Sequence, residues 1–415
     1  MSSMLSQVGT HVSRVERRSP VTSDITLRHF CFQTPAMELR AAARHTLRRP
    51  SARARPMNAT ARLVVQWMLA ASCAWPAVVA SQDASTSTSS QVTVIGVGDM
   101  MLGSLYPATP SYLAPNDGRD LLLPVRDVLR DATVTFGNLE GSLFSGIGTM
   151  KRCQTPSLCY LFKSPERYTA HFLDAGFDVL SIANNHVGDF GEEGRRSTSR
   201  ALTDAGIAHA GVLSKPFDRF VRDGIRFGFM AIAPNSGTVS MRDIPGAQAI
   251  VRRLRAESDI VIVSFHGGGE GPGFRHVTRR DEIFHGENRG NPHAVARALI
   301  DAGADIVFGH GPHVTRAIDL YKDRFIAYSL GNFATYGRFN LKGSAGLAPI
   351  IKVTTDRTGR FIEARIVPTM QVGRGGPLLD PRAQVLREIR ELTEADVPES
   401  GLLVQDDGRV VRRPR

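Results

Sequence analysis

Cysteine is scarce, with four residues in a chain of 415. That excludes the disulfide-dense scaffolds of small secreted domains. Aromatic residues supply only 7% of the chain, and no cluster of them reads as a platform for stacking sugars. Long apolar runs are also missing apart from one that begins near residue 63, which excludes a multi-span membrane protein. Charge of one sign is in short supply over most of the length. The chain has 51 Lys+Arg against 40 Asp+Glu, a formal +11. Residues 1–56, however, hold ten Arg, no Lys and three acids, a net +7, and residues 57–80 add one more positive charge. The remaining 335 residues carry only +3. Bulk charge therefore gives no support to nucleic-acid binding. With 42% hydrophobic residues the chain has an ordinary globular mix, and its length suits one large α/β domain or two compact units.

What the front of the chain does contain is an export pattern. Met57 and Arg62 open it, an apolar run over 63–80 is broken by Trp75-Pro76, and Val78-Val79-Ala80 precedes a candidate cut at Ser81. The alternatives are an uncleaved membrane anchor and a lipoprotein box at Ala70-Ala71-Ser72-Cys73. We expect an upstream extension that does not fold over 1–56, a signal peptide over 57–80, a Ser/Thr linker over 81–91 and the working domain over 92–370. A C-terminal helix and tail complete the chain over 371–415. The expected location is the periplasm, the cell envelope or the medium. In an oxidising compartment Cys153 and Cys159, with Pro156 between them, favour a small disulfide loop over two free thiols. No other cysteine remains after residue 80 to build a zinc site.

Beyond the linker, apolar β-branched runs alternate with helical stretches. Strands are expected at 92–97, 133–136, 177–182, 225–232, 260–265 and 305–308, with helices at 121–130, 166–175, 195–205 and 294–302. Three helices end in Ala-Gly, where glycine supplies a left-handed cap. The alternation predicts an α/β domain with much parallel pairing. From 314 onward, strands at 314–320, 325–330, 350–354 and 361–367 follow one another without helices, which predicts an antiparallel portion. A helix near 382–392 and a basic tail close the chain.

The informative feature is where the polar residues fall. Asp99 follows the first strand, Asn138 and Glu140 the second, and Asn185-His186 with Asp189 the third. His266 and Glu270 follow a later strand, and His310 and His313 the last. In an open α/β sheet the carboxyl ends of parallel strands share one edge, where ligands bind. Oxygen and imidazole donors gathered there suit Mn, Zn or Fe rather than Ca. Glu282, Glu287 and Arg289 sit in a loop able to reach the same edge. Arg289 offers a planar fork for a carboxylate or phosphate, although a solvated charged loop is the plainer reading. His276, His285 and His293 fit no motif and read as structural or surface residues.

These residues together resemble a known family. Gly98-Asp99-Met100-Met101-Leu102-Gly103, Asn138-Leu139-Glu140, Ala183-Asn184-Asn185-His186, Ser264-Phe265-His266, Gly309-His310-Gly311-Pro312-His313 and Tyr328-Ser329-Leu330-Gly331-Asn332-Phe333 look like the CapA capsule-synthesis family. Its members are associated with poly-γ-glutamate capsule formation and resemble calcineurin-like metallophosphoesterases. The resemblance implies a layered α-β-β-α sandwich with mixed sheets and a site for one or two divalent transition-metal ions (Mn, Zn or Fe). Asp99, Glu140, Asn185, His266, His310 and His313 would be the metal ligands. His186 would be the catalytic acid, and Asn138, Asp189, Glu270 and Arg289 would meet the substrate. Four positions depart from the expected patterns. Met101 stands where the phosphoesterases place the histidine of Asp-x-His, Glu140 replaces a bridging Asp, and the closing histidine pair is one residue further apart. Gly267 replaces an aromatic residue common after the histidine of the later strand.

The resemblance implies an exported, metal-dependent hydrolase of capsule or envelope polymer metabolism, working by metal-hydroxide attack on an anionic polymer or phosphoester. The alternative is a non-catalytic accessory subunit that binds the polymer or components of a membrane synthase. No nucleic-acid partner is expected.

Overall fold

A computed structural model of the protein describes residues 91–109, 111–153 and 159–414. The expected extension, signal peptide and nearly all of the linker lie outside the described residues, as does the interior of the cysteine loop. Among the described residues no helix is long and apolar enough to cross a membrane.

Two sheets are stacked face to face. The first runs in the order Leu402–Val404, Arg409–Arg412, Phe361–Gln371, Leu347–Asp356, Gln91–Met101, Val134–Leu139, Val179–Ser181 and Ala208–Ala210. Asn332–Thr335 also pairs with Gln91–Met101, and Pro377–Leu379 with Phe361–Gln371. The second has the order Ile318–Tyr321, Arg324–Ala327, Ile306–His310, Ile260–His266, Ile225–Ile232 and Phe217–Arg222. In the first sheet the pairing is parallel from Gln91–Met101 to the Ala208–Ala210 edge and antiparallel from Gln91–Met101 through Leu347–Asp356 to the other edge. In the second the centre is parallel and the two edge pairs are antiparallel, so both sheets are mixed.

Side-chain alternation produces the layers. Val94, Phe136, Phe227, Phe229, Ile262 and Phe308 point between the sheets, where Phe136 stacks on Phe308 at 5.1 Å. Ile95, Val97 and Leu180 point the other way, onto helices Arg126–Leu129, Thr169–Ala175 and Gly191–Asp204. Met230, Val261, Val263 and Val307 face helices Ile244–Glu257 and Pro292–Asp301. The result is the α-β-β-α order. Strands covered on both faces have no polar side to show, so they read as continuous apolar runs in the sequence.

The differences from the sequence expectations have local causes. The helix expected over 121–130 shrinks to Arg126–Leu129 behind a 3-10 turn containing Pro124, because proline has no N–H for the helix interior. Helix Ile244–Glu257 and edge strand Phe217–Arg222 were not expected. The helix is capped by the Asp243 side chain, which accepts from the Gly246 N–H, and has Pro245 in its first turn. The portion after 314 is only partly antiparallel: Arg324–Ala327 pairs in parallel with Ile306–His310, and Asn332–Thr335 in parallel with Gln91–Met101. The segment read as a basic tail contains two strands that lengthen the first sheet, with Val404 and Val410 in the core between the sheets.

One close approach ties the fold to the polar strand ends. The Asp99 N–H donates to the Gly331 carbonyl at 2.8 Å, and a Cβ on Gly98 would collide with the carbonyl oxygens of Gly331 and Leu330. Gly98→Ala should therefore destabilise the protein by about 1–3 kcal/mol, the usual range for overpacking. Urea unfolding measures it, and an unchanged midpoint would show that this backbone contact does not constrain the strand.

Candidate metal centre

Parallel pairing sets the carboxylates side by side. Asp99 is in register with Asn138 on the neighbouring strand, and Glu140 follows two residues later; all three are fully buried. The Asn138 amide donates to Asp99 Oδ1 at 2.8 Å and to Glu140 Oε2 at 2.7 Å, while its own oxygen accepts from Asn184. Asn138, expected to meet substrate, is a fully buried spacer between the two carboxylates.

The second sheet brings imidazoles to the same place. His266 and His310 end adjacent parallel strands in register, and His313 follows with φ of 56°. Its carbonyl accepts from the Asn332 amide. His310 Nδ1 lies 3.2 Å from Asp99 Oδ1, and His313 Nδ1 lies 2.9 Å from Asp99 Oδ2. His266 Nδ1 is 3.4 Å from Glu140 Oε2. Donors sharing one ion at bond lengths near 2.1 Å stand about 3.0–3.4 Å apart, so the His266–Glu140 separation matches an edge of a coordination shell, while the two Asp99 contacts are hydrogen bonds. Candidate ligand atoms of Asp99, Glu140 and His266 all lie within 4.8 Å of one another.

Several of these atoms have no hydrogen-bond partner. Glu140 Oε1, Asn185 Oδ1, both nitrogens of His266 and His310 Nε2 are buried and unpaired. Buried polar atoms are normally satisfied, so a cluster of orphans of ligand type calls for a cation. The electrostatics agree. Burial works against the Asp99 charge, but hydrogen bonds from His310 and His313 outweigh it and hold Asp99 well below the usual carboxylate range. Burial, then the charge of Asp99, pushes Glu140 well above that range. Burial drives His266 well below the ordinary imidazole value. Burial also opposes charge on His313, yet Asp99 carries it up to about 9. Two carboxylates strained in this way among crowded imidazoles form a donor set that fits a divalent metal. Met101 is buried and brings no nitrogen donor to the set.

His186 sits at the rim. Its Nδ1 lies 2.8 Å from Asp189 Oδ2 and its Nε2 4.0 Å from Glu140 Oε1. Because a carboxylate only accepts, Nδ1 carries the proton and the Nε2 lone pair is left toward the site. Asp189 is fully buried, accepting from the Phe162 N–H at 2.7 Å and pairing with Lys151 at 2.5 Å. Asp189, expected to meet substrate, is thus placed to orient the His186 ring.

A cavity of about 460 Å³ opens over His186, His313 and Asn185. Glu270 and Arg289 line it, but Arg289 pairs with Glu270 at 3.1 Å and is only 3% exposed. Its loop is solvated at Asp281, His285 and Glu287, whereas Glu282 is buried and takes a bidentate pair from the fully buried Arg316 at 2.8 and 3.0 Å. His285 also lines the cavity, whereas His276 pairs with Asp396 at the surface and His293 stacks near Tyr328. Sequence reasoning missed the aromatic wall. Phe162 lies 4.3 Å from the His186 ring and 5.1 Å from Phe339, which stands 5.8 Å from His313. These residues are remote in sequence and share no motif. At the rim, Cys153 and Cys159 form a disulfide with Cα atoms 5.6 Å apart.

Comparison with known proteins places this arrangement. The family described as bacterial capsule synthesis protein PGA_cap matches residues 93–336. The capsule biosynthesis protein CapA of Bacillus anthracis is 27% identical over 265 residues, covering 59% of each chain. The PGA biosynthesis protein CapA of Bacillus subtilis is 25% identical over 254 residues, 57% of this chain and 61% of that one. The protein thus spans about three fifths of the length of these two relatives. Among solved structures, a purple acid phosphatase from yellow lupin (Lupinus luteus) seeds aligns with a TM-score of 0.35 at 12% identity, over 70% of this chain and 54% of that one. The family match covers more than half of the chain and holds every candidate metal donor, and the chain therefore belongs to the bacterial capsule synthesis protein family PGA_cap.

Proposed function

We propose that the protein is an exported, metal-dependent hydrolase acting on an anionic polymer of the capsule or envelope. The observation that carries this reading is the set of unpaired, buried ligand atoms on Glu140, Asn185, His266 and His310 beneath an open cavity. Asp99, Glu140, Asn185, His266, His310 and His313 would hold the ion or ions, with Mn, Zn or Fe fitting the donors. A divalent cation supplies Lewis acidity and activates water for attack. The chain supplies the proton path. His186 Nε2 takes a proton from the attacking water and returns it to the nitrogen or oxygen that leaves, while Asp189 holds the ring in place. Phe162 and Phe339 shield that side from bulk water. The names of the Bacillus relatives support a capsule polymer of the poly-γ-glutamate kind. Export rests on the signal-like run over 57–80 and on the disulfide, which suits an oxidising compartment.

A second reading has one observation in its favour. Met101 stands where an imidazole would complete a two-metal site, as in a protein that keeps the cleft to hold the polymer or a membrane synthase without cutting. Elemental analysis of the purified protein, with a screen against phosphoesters and γ-glutamyl polymers, separates the two. One or two bound metal ions and metal-dependent cleavage are expected. Protein that stays metal-free and silent when Mn and Zn are supplied would sink the hydrolase.

A further inference from the structure

The cations around the cavity are not equivalent. Lys151 is neutralised by Asp189 and Arg289 by Glu270. Arg338 also lines the cavity, yet among the described residues it makes no ion pair. Among the described residues its one hydrogen bond is a long contact of 3.4 Å from Nη1 to the Tyr106 carbonyl. A guanidinium carries five N–H donors, so most of them are unspent.

The group is nonetheless held. Its carbon lies 5.2 Å from the ring centre of Tyr112, 5.1 Å from that of Tyr160 and 6.0 Å from that of Phe162. Three aromatic rings hold the guanidinium by cation–π attraction without cancelling its charge. They also take part of it out of water without offering an acceptor, an arrangement that an anion from outside would complete. Phe162 then connects it to the chemistry, since the same ring packs 4.3 Å from His186.

We propose that Arg338 is the anion-recognition residue of the cleft. It grips a carboxylate or phosphate of the ligand one aromatic ring away from His186, and so selects which bond of the polymer lies over the metal donors. This rests on the cleft being the working site. Arg289 is the less suited of the two, because Glu270 at 3.1 Å already balances its charge and it is only 3% exposed, although its Nε and Nη2 make no hydrogen bond. The recognition is that of a planar fork on an oxyanion, which a point charge reproduces only in part.

The test is calorimetric binding to the full chain, with metal content measured on the same samples. The probes are tri-γ-glutamate, phenyl phosphate and the fully amidated, uncharged tri-γ-glutamate. Arg338→Gln should weaken at least one anionic probe about tenfold or more, as expected for loss of a charge-assisted pair. Arg338→Lys should recover part of the loss, and the uncharged probe should bind both variants as it binds the wild type. Whichever anionic probe responds identifies the group gripped. Wild-type affinity of Arg338→Gln for both anions overturns the proposal, and so does a wild-type protein that prefers neither anion over the amide. Failure of the hydrolase reading looks different: metal would be absent while the dependence on Arg338 remains.

Discussion

Asp99→Asn should strip the protein of metal while leaving it folded. Asp99 is the most connected donor of the centre: fully buried, within 3.2 Å of His310 and 2.9 Å of His313, and fixed by Asn138 at 2.8 Å. Of the two carboxylates it is the one held in the ionised form, since Glu140 is pushed the other way by burial and by Asp99 itself. Asparagine keeps the shape and can still accept from one imidazole, so the strands need not move. Without the charge, His313 loses the partner that raises it to about 9 and remains neutral, which avoids an unpaired buried cation. Loss of an outer partner of a ligand typically costs about 10–100-fold in affinity, and loss of a charged ligand should cost more. The stability readout follows by linkage. An ion present at a hundred times its dissociation constant stabilises the fold by about 2.7 kcal/mol, a gain the variant would forgo. Elemental analysis should find wild-type protein loaded and Asp99→Asn nearly empty, with matching circular dichroism. Added Mn or Zn should raise the melting temperature of the wild type only. Equal metal content and an equal thermal shift in the variant would remove Asp99 from the ligand set.

The carbon skeleton of this site was readable because the strands that carry it are buried on both faces. Runs such as 227–232 and 260–263 are apolar because both of their faces are covered, and in the second of these strands His266 stands at the end. His266, His310 and Asp99 could therefore be placed on one edge from the sequence. What depended on depth could not. Asn138 lies at the end of strand Val134–Leu139 and Glu140 just past it, but nothing local says that Asn138 is sealed between carboxylates. Arg289 and Arg338 look alike in a sequence; one is cancelled by Glu270 and the other is not, a distinction made by tertiary contacts alone. The aromatic wall is of the same kind, for Phe162 and Phe339 meet only after the sheets have stacked. Helix Ile244–Glu257 is a different case. Its cap at Asp243 and its Pro245 were visible signals, but with Gly246 in the first turn and Arg252, Arg253 and Arg255 near its end its apolar stripe is narrow.

His186→Ala should abolish turnover and spare the metal, an outcome that separates a working enzyme from a binding cleft. The ring is not among the unpaired atoms that invite the ion: its Nδ1 is committed to Asp189 at 2.8 Å, and its Nε2 stands 4.0 Å from Glu140 Oε1. Alanine removes the proton carrier and leaves the donors from Asp99 to His313 where they are. General acid–base catalysis contributes about 10²–10⁴-fold in rate, so kcat on a responsive substrate should drop by that factor with metal content unchanged. Asp189→Asn supplies the finer test. It preserves a partner for Nδ1 but removes the charge that fixes the tautomer, and it also frees Lys151. Its kcat should fall less than that of His186→Ala, with KM changing less than kcat, because Asp189 is fully buried and acts through the His186 ring. Should His186→Ala instead lose its metal along with its activity, the ring is a ligand and the proton must travel by another group. Unaltered turnover in His186→Ala, with the metal retained, would remove His186 from the proton path and assign that step to another group.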